Sequence, residues 1–483
     1  MICMKPQSFN PYLPGYEYIP DGEPRVFDGR LYLFGSHDRF GGDSFCQNDY
    51  VCWSASVDNL TDWRYEGVIY KKGQDPLNSD GSRRLYAPDV IKGPDGRFYL
   101  YYTLDIIGVM SVAVCGAPAG QYEFYGHVRN RDGRVVGRQR GDIFQYDPGV
   151  LMDEDKRVYL YSGFVPLPHR RKPFEERGLK IDGGYFMELE QDMLTVKRGP
   201  ELIFPQKGDA DGTGFEGHEF FEGSSIRKVG GRYYFIYTSV NRHELCYAVS
   251  DRPDGGFTYG GTLISNGDIF LDGRTEENAL SYFGNNHGSI AEASGRWYIF
   301  YHRHTNGNQY SRQACAERIF IEKDGAIKQA EMTSCGLNGG PLIGKGEYEA
   351  RIACNLISRE GIYNYLSGRQ SGGVHPYFTQ DGPDRESDSN QYIANFQDGA
   401  KAAFKYFLID GVSEISMTVR GTARGRVFVS SAVSGEAGAE IEINADNEWN
   451  TFSAPLSMED GVQALHFTFR GGGYFDFLRF SLK

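Results

Sequence analysis

Apolar positions in the first two thirds of the chain fall in short, dense, aromatic-rich runs separated by turn residues, not at helical spacing. One phrase recurs five times: Gly or Lys, then Arg, an apolar or aromatic residue, and Tyr. It ends at Tyr32, Tyr99, Tyr159, Tyr234 and Tyr298. Each copy runs into a strand-like stretch such as Leu100-Tyr101-Tyr102 or Phe235-Ile236-Tyr237, and each follows a turn such as Lys92-Gly93-Pro94-Asp95-Gly96. The five tyrosines are 67, 60, 75 and 64 residues apart. That interval suits a four-stranded blade with elaborated loops, so the pattern predicts a five-bladed β-propeller within residues 1–340.

Ten to twelve residues before each repeat tyrosine stands an ionisable residue beside Pro or Gly: Asp21, Asp89, Asp147, Glu222 and His287. Asp, Gly and Pro are ordinary turn formers, and any one of these alone would be read as a turn. Five at one blade position converge at the mouth of a propeller's central channel. Gathering them there is electrostatically costly unless the site uses them.

After Cys335 the repeat stops at a Gly-rich connector. Residues 346–483 then read as short alternating strands, among them Ile415–Val419, Arg426–Val429 and Ala464–Phe469, which predict a β-sandwich. The fold class is therefore all-β, a five-bladed propeller followed by a sandwich. Composition agrees, with 33 Tyr, 32 Phe and 62 Gly in 483 residues.

A formal charge of −13 excludes a general nucleic-acid binder. The most apolar window, Phe98 to Ala117, contains Asp105 and reads as two strands, so no membrane segment is expected. The eight cysteines show no CxxC pair or zinc spacing, and the first fifteen residues lack the apolar core of a secretory signal. The expected setting is cytoplasmic, with reduced thiols.

Carboxylates in an aromatic-rimmed cleft suit cleavage of a sugar–sugar bond, which needs one acid of raised pKa and one ionised carboxylate opposite it. The repeats, the opening Asn10-Pro11-Tyr12-Leu13-Pro14-Gly15 and the phrase from Phe220 to Lys228 resemble glycoside hydrolase family 43 over residues 8–335. The resemblance implies an inverting exo-glycosidase that releases xylose or arabinofuranose from oligosaccharides. It further implies Asp21 as general base, Asp147 as pKa modulator and Glu222 as general acid. Inversion would set base and acid roughly 6.5–9.5 Å apart. Glu216 and Glu219 are rivals for the acid, but only Glu222 keeps the repeat offset.

Among expected substrate contacts, Asp89 matches a blade-two motif and Arg312 an arginine that binds sugar hydroxyls. His37, beside Asp38, is placed to line the glycone pocket. His287 fits an axial histidine that meets a metal ion or water in the channel, with contact through water preferred. His302 and His304 share one strand face. The C-terminal region resembles a family 6-type carbohydrate-binding module through the phrases from Asn395 to Ala400 and Phe404 to Phe407, where Glu349 and Asp476 are candidates for a structural Ca2+. The hydrolysis itself requires no cofactor.

Two other functions fit the same features. A glycoside phosphorylase on a related propeller would need a basic cluster beside the acid; the only basic run, His169-Arg170-Arg171-Lys172, reads as a solvated turn. A non-catalytic sugar-binding propeller would not need Asp21, Asp147 and Glu222 together.

Overall fold

The computed structural model describes residues 7–206, 208–367, 373–387 and 390–483; Cys3 lies outside them. Blade one comprises β1 (Glu23–Phe27), β2 (Arg30–Phe34), β3 (Tyr50–Ser56) and β4 (Asn59–Tyr70). Blade two is β5 (Asp89–Lys92), β6 (Phe98–Thr103), β7 (Met110–Cys115) and β8 (Glu123–His127). Blade three is β9 (Gly149–Met152), β10 (Val158–Gly163), β11 (Gly183–Leu189) and β12 (Val196–Pro205), with the short helix α1 (Lys172–Arg177) in its long connection. Blade four is β13 (Phe220–Val229), β14 (Arg232–Ser239), β15 (Glu244–Ser250) and β16 (Thr258–Ser265). Blade five has three strands, β17 (Ile290–Ala293), β18 (Arg296–His304) and β19 (Arg312–Ile319). Every blade is an antiparallel meander, and its first strand is innermost, touching the first strands of neighbouring blades.

The repeated tyrosine has one structural job. Side chains alternate along a strand, so a strand packed between two blades sends successive residues to opposite neighbours. Val158 and Leu160 pack towards blade two, whereas Tyr159 and Tyr161 pack towards blade four. Tyr99, Tyr159, Tyr234 and Tyr298 each face the following blade, with Tyr298 closing onto blade one, and the half-buried Tyr32 does the same towards blade two. The repeated arginine explains itself in blades two and three. Arg97 and Arg157 each grip the turn aspartate two residues back, at 2.6 Å, and lie over the tyrosine two residues on.

Blades five and one close the ring through a parallel bridge between Gly22 and Gly288. The side chain of Asn10 reinforces this seam by bonding Ala316 O, Glu317 and Thr333 O and accepting from Ala316 N–H.

The remaining strands form two facing six-stranded sheets. One contains β20 (Leu342–Ile343), β22 (Asn355–Ile357), β25 (Lys401–Ile409), β27 (Arg424–Ser430), β28 (Ala437–Asn444) and β30 (Gly461–Gly472). The other contains β21 (Gly346–Glu349), β23 (Tyr377–Gln380), β24 (Gln391–Gln397), β26 (Glu414–Gly421), β29 (Asn450–Pro455) and β31 (Tyr474–Leu482). Phe404, Phe467, Phe477 and Phe480 fill the space between them. Because Leu342 already pairs with Phe407, this sandwich begins before residue 346. It packs directly on the propeller: Lys405 reaches Glu331 at 2.7 Å, and Arg303 lies over Phe378 while donating to Arg351 O at 2.6 Å. Among the described residues no helix is long and apolar enough to cross a membrane. The seven described cysteines are free.

Candidate active site

Asp21, Asp147, Glu222 and His287 meet at one end of the channel. Asp21 and Asp147 both sit in the left-handed region, with φ of 56° and 45°, just ahead of β1 and β9. Non-glycine residues there carry strain that surrounding structure must impose, a feature common at functional sites. Glu222 lies on β13 opposite Thr238, between two register shifts. Such a bulge re-aims a side chain out of the regular ladder. Gly223 makes it possible: its φ is 78°, and a Cβ there would stand 2.8 Å from Thr238 Oγ1. The freed Gly223 amide donates to the Asp147 carboxylate.

Arg312 anchors the other side. Its Nη1 donates to Asp21 Oδ1 at 2.9 Å, while Nε and Nη2 donate to the two oxygens of Asp38 at 2.9 and 3.1 Å. The remaining Nη2 proton faces Cys46 Sγ at 3.6 Å, and the guanidinium lies over Phe45. Arg312 is thus buried and committed chiefly to two carboxylates, with two bonds to Asp38 and one that orients Asp21. His302 donates from Nε2 to Asn285 O at 2.8 Å, so its Nδ1 accepts the Asp21 amide at 3.3 Å. Burial holds the His302 imidazole neutral.

The electrostatics separate the carboxylates. Burial and the charge of Asp21 push Glu222 up to about 7, against the pull of Arg242, Arg312 and Arg170. Burial, Glu222 and Asp21 also raise Asp147 well above the usual carboxylate range. Tyr86, Tyr146, Phe164 and Phe221 form a contiguous aromatic wall beside Asp147 and Glu222, with successive ring centroids 5.5, 4.8 and 5.7 Å apart. Such a wall suits stacking against a sugar face.

Several sequence expectations change. Asp89 is not a substrate contact: it is wholly buried below the mouth, gripped by Arg25 through both oxygens and accepting the Val90 and Val150 amides. Its offset of ten residues from Tyr99, against eleven or twelve for the others, carries it deeper along the inner strand. There it belongs to a buried charge layer with Arg25, Glu23 and Arg227, the last two paired at 2.6 Å. His37 does not line the pocket either. It is buried, donates from Nδ1 to Asp49 O at 2.7 Å, and turns Nε2 towards Glu17 and Arg385. Glu216 is bound to the Gly212 amide in an exposed turn, whereas Glu219 is buried.

The metal expectations fare similarly. Glu349 pairs with Arg351, and Asp476 pairs with Arg420 at 3.0 Å; the structure does not bring the two together as a calcium site. His287 lies 3.6 Å from Asp147 through Nδ1, and its buried Nε2 has no protein partner. A single imidazole nitrogen does not fit direct ligation of a hard cation that takes six to eight oxygens. Among the described residues the one cluster with metal-ligating geometry, His218, Glu244 and Cys246, is elsewhere in blade four. Its Glu244 is already bonded to His218, Ser239, Asn241 and Thr262.

Sequence reasoning set Asp38 beside His37 at the glycone pocket and missed its pairing with an arginine 274 residues away. The basic run is the exposed turn the sequence suggested, at Pro168–Arg170, while the charges of Arg242 and, more weakly, Arg170 reach Glu222.

A raised-pKa acid facing a carboxylate across the mouth of a five-bladed propeller defines a glycoside hydrolase. The chain belongs to the glycosyl hydrolases family 43, whose family model matches residues 20–327. It is 53% identical over 481 residues to a "Xylosidase/arabinosidase" of Thermoclostridium stercorarium, covering 99% of each chain. An arabinoxylan arabinofuranohydrolase of Bacillus subtilis, solved with cellotetraose, shares the fold over 98% of this chain and 97% of its own, at TM-score 0.52 and 20% identity. A β-xylosidase/α-arabinofuranosidase from a compost metagenome, solved with xylotriose in calcium-free form, matches 68% of this chain and 98% of its own at TM-score 0.52 and 25% identity.

Proposed function

We propose that this hydrolase removes xylose or L-arabinofuranose from the ends of plant cell-wall oligosaccharides with inversion. The observation that carries the reading is the elevation of Glu222 to about 7 at a site where Asp21 is held by Arg312. Glu222 gives its proton to the glycosidic oxygen as that oxygen leaves the anomeric carbon. Asp21 takes a proton from a water whose oxygen attacks the same carbon from the opposite face. The products are the released pentose, inverted at its anomeric centre, and the shortened chain. Solvent exchange then returns the proton from Asp21 to Glu222. Like-charge repulsion within the buried pair raises Asp147 well above its usual range and opposes ionisation of Asp147 and Glu222 together, while the Gly223 amide fixes Asp147. The "Xylosidase/arabinosidase" relative supports both pentoses as candidates. No step requires a metal.

The test is hydrolysis of 4-nitrophenyl β-xyloside, 4-nitrophenyl α-L-arabinofuranoside and a xylo-oligosaccharide by wild type and Glu222→Gln, with product anomers followed by NMR. Absence of hydrolysis by wild type sinks the pentosidase assignment, and unchanged activity of Glu222→Gln on the oligosaccharide sinks the acid. A second reading, phosphorolysis, draws on one observation: Arg170 and Arg242 bring positive charge to the acid. Running each assay with and without phosphate, and looking for a pentose 1-phosphate, decides between them.

A further inference from the structure

The loop between β2 and β3, from Phe34 to Tyr50, carries the parts that hold Arg312: Asp38, Phe45 and Cys46. That loop is itself held from outside the propeller. Asp384, on the sandwich between β23 and β24, accepts the Phe40 amide at 2.8 Å through Oδ1. Through Oδ2 it accepts from Asn48 Nδ2 at 3.0 Å, and the same amide nitrogen donates to Asp38 O at 2.9 Å. Its neighbour Arg385 donates from Nη1 to Glu17 Oε1 at 2.6 Å and lies 3.0 Å from His37 Nε2, with its guanidinium over Tyr65.

Glu17 makes that contact consequential. Its carboxylate is fully buried, with Trp53 Nε1 at 2.7 Å and His37 Nε2 at 3.0 Å as its other side-chain partners. Arg385 is the permanent cation among them, and a buried carboxylate deprived of its cation either takes a proton or rearranges. Burial alone would raise Glu17, but His37 and Arg385 together hold it below its ordinary range. Movement of Glu17 or His37 passes directly to Asp38, the residue after His37, whose amide donates to Tyr18 O at 3.0 Å beside Glu17.

We propose that Asp384 and Arg385 are positioning residues for the propeller's pocket: acting across the domain interface, they fix the Asp38–Arg312 pair that orients Asp21. The sandwich in this view completes the hydrolytic site. The inference rests on the glycosidase reading above. Its residues are separate from the bulk of the interface, which Lys405, Arg303 and the apolar core around Tyr282 and Cys335 maintain, so they can be altered with the two parts still joined.

In the full-length chain, Asp384→Ala and Arg385→Ala are expected to lower kcat/KM for 4-nitrophenyl β-xyloside or α-L-arabinofuranoside by about ten- to hundredfold, a loss of the size that misplacing catalytic groups produces. Thermal unfolding should remain cooperative, and Arg385→Lys should recover part of the loss by returning the charge to Glu17. The exposed pair residue Arg426, altered to Ala, is the comparator and should stay within twofold of wild type. Ala variants within twofold of wild type overturn the proposal, as do losses wholly accounted for by the unfolded fraction. If wild type hydrolyses neither substrate, the pentosidase reading fails separately. Calorimetric binding of xylose and arabinose then decides: weaker binding by both Ala variants upholds the positioning role, and unchanged binding removes it.

Discussion

Arg312 and Asp21 are joined at 2.9 Å although 291 residues separate them. Asp38 clamps the opposite edge of the same guanidinium, so the geometry depends on a planar fork that lysine lacks. Arg312→Lys is therefore expected to lose activity nearly as fully as Arg312→Ala, by about a hundredfold or more in kcat/KM. Asp38→Asn should fall between them and wild type. Steady-state kinetics on a xylo-oligosaccharide checks the order.

The pH dependence follows from Glu222, which must be protonated to act. With its carboxyl raised to about 7, kcat/KM should decline as pH rises through neutrality. Asp147 and Glu222 repel each other as charges in one buried site, so Asp147→Asn should move the alkaline limb to lower pH and reduce kcat by about a hundredfold. A limb that stays in place in this variant would remove Asp147 from the role of modulator.

Stability should carry the same signature. Between the ordinary glutamate value of 4.5 and about 7 the folded state holds the Glu222 proton more tightly than the unfolded chain does. Folding stability therefore drops with rising pH through that window. Glu222→Gln avoids the drop. Its Tm should match wild type near pH 4.5 and exceed it by about 2–4 °C above pH 7. Calorimetry across the range provides the comparison.

The buried charge layer beneath the mouth predicts a different kind of defect. Arg25→Ala strands Asp89 without its cation in a wholly buried site and should cost about 3–5 kcal/mol. Gly223→Ala, forced to φ 78° against Thr238, should cost about 1–3 kcal/mol and also displace Glu222. Denaturant unfolding at constant pH measures both.

The ring of blades was legible because its signal is local and repeated: a turn, an arginine, and a tyrosine that faces the following blade. The ionisable ring was legible for the same reason, yet the offset from Tyr99 is shorter by one or two residues, and that was enough to sink Asp89 into a structural pair. What stayed hidden is what depends on distant chain segments. Asp38 beneath Arg312, His37 against Glu17, and Arg385 reaching back across 368 residues leave no spacing to read. Arg242 was likewise invisible, because a lone basic residue in a turn carries no mark of the acid whose charge it will meet.

The seam between blades five and one has a mechanical consequence. Elsewhere the blades are tied by continuous chain, but here the circle is fastened only through non-covalent contacts: the Gly22–Gly288 bridge, Arg312 on Asp21 and Asp38, the hooks of Asn10 and the packing of Tyr298 on blade one. The clasp lies beside Asp21 and His287, so the closure of the ring and its reactive centre share one address.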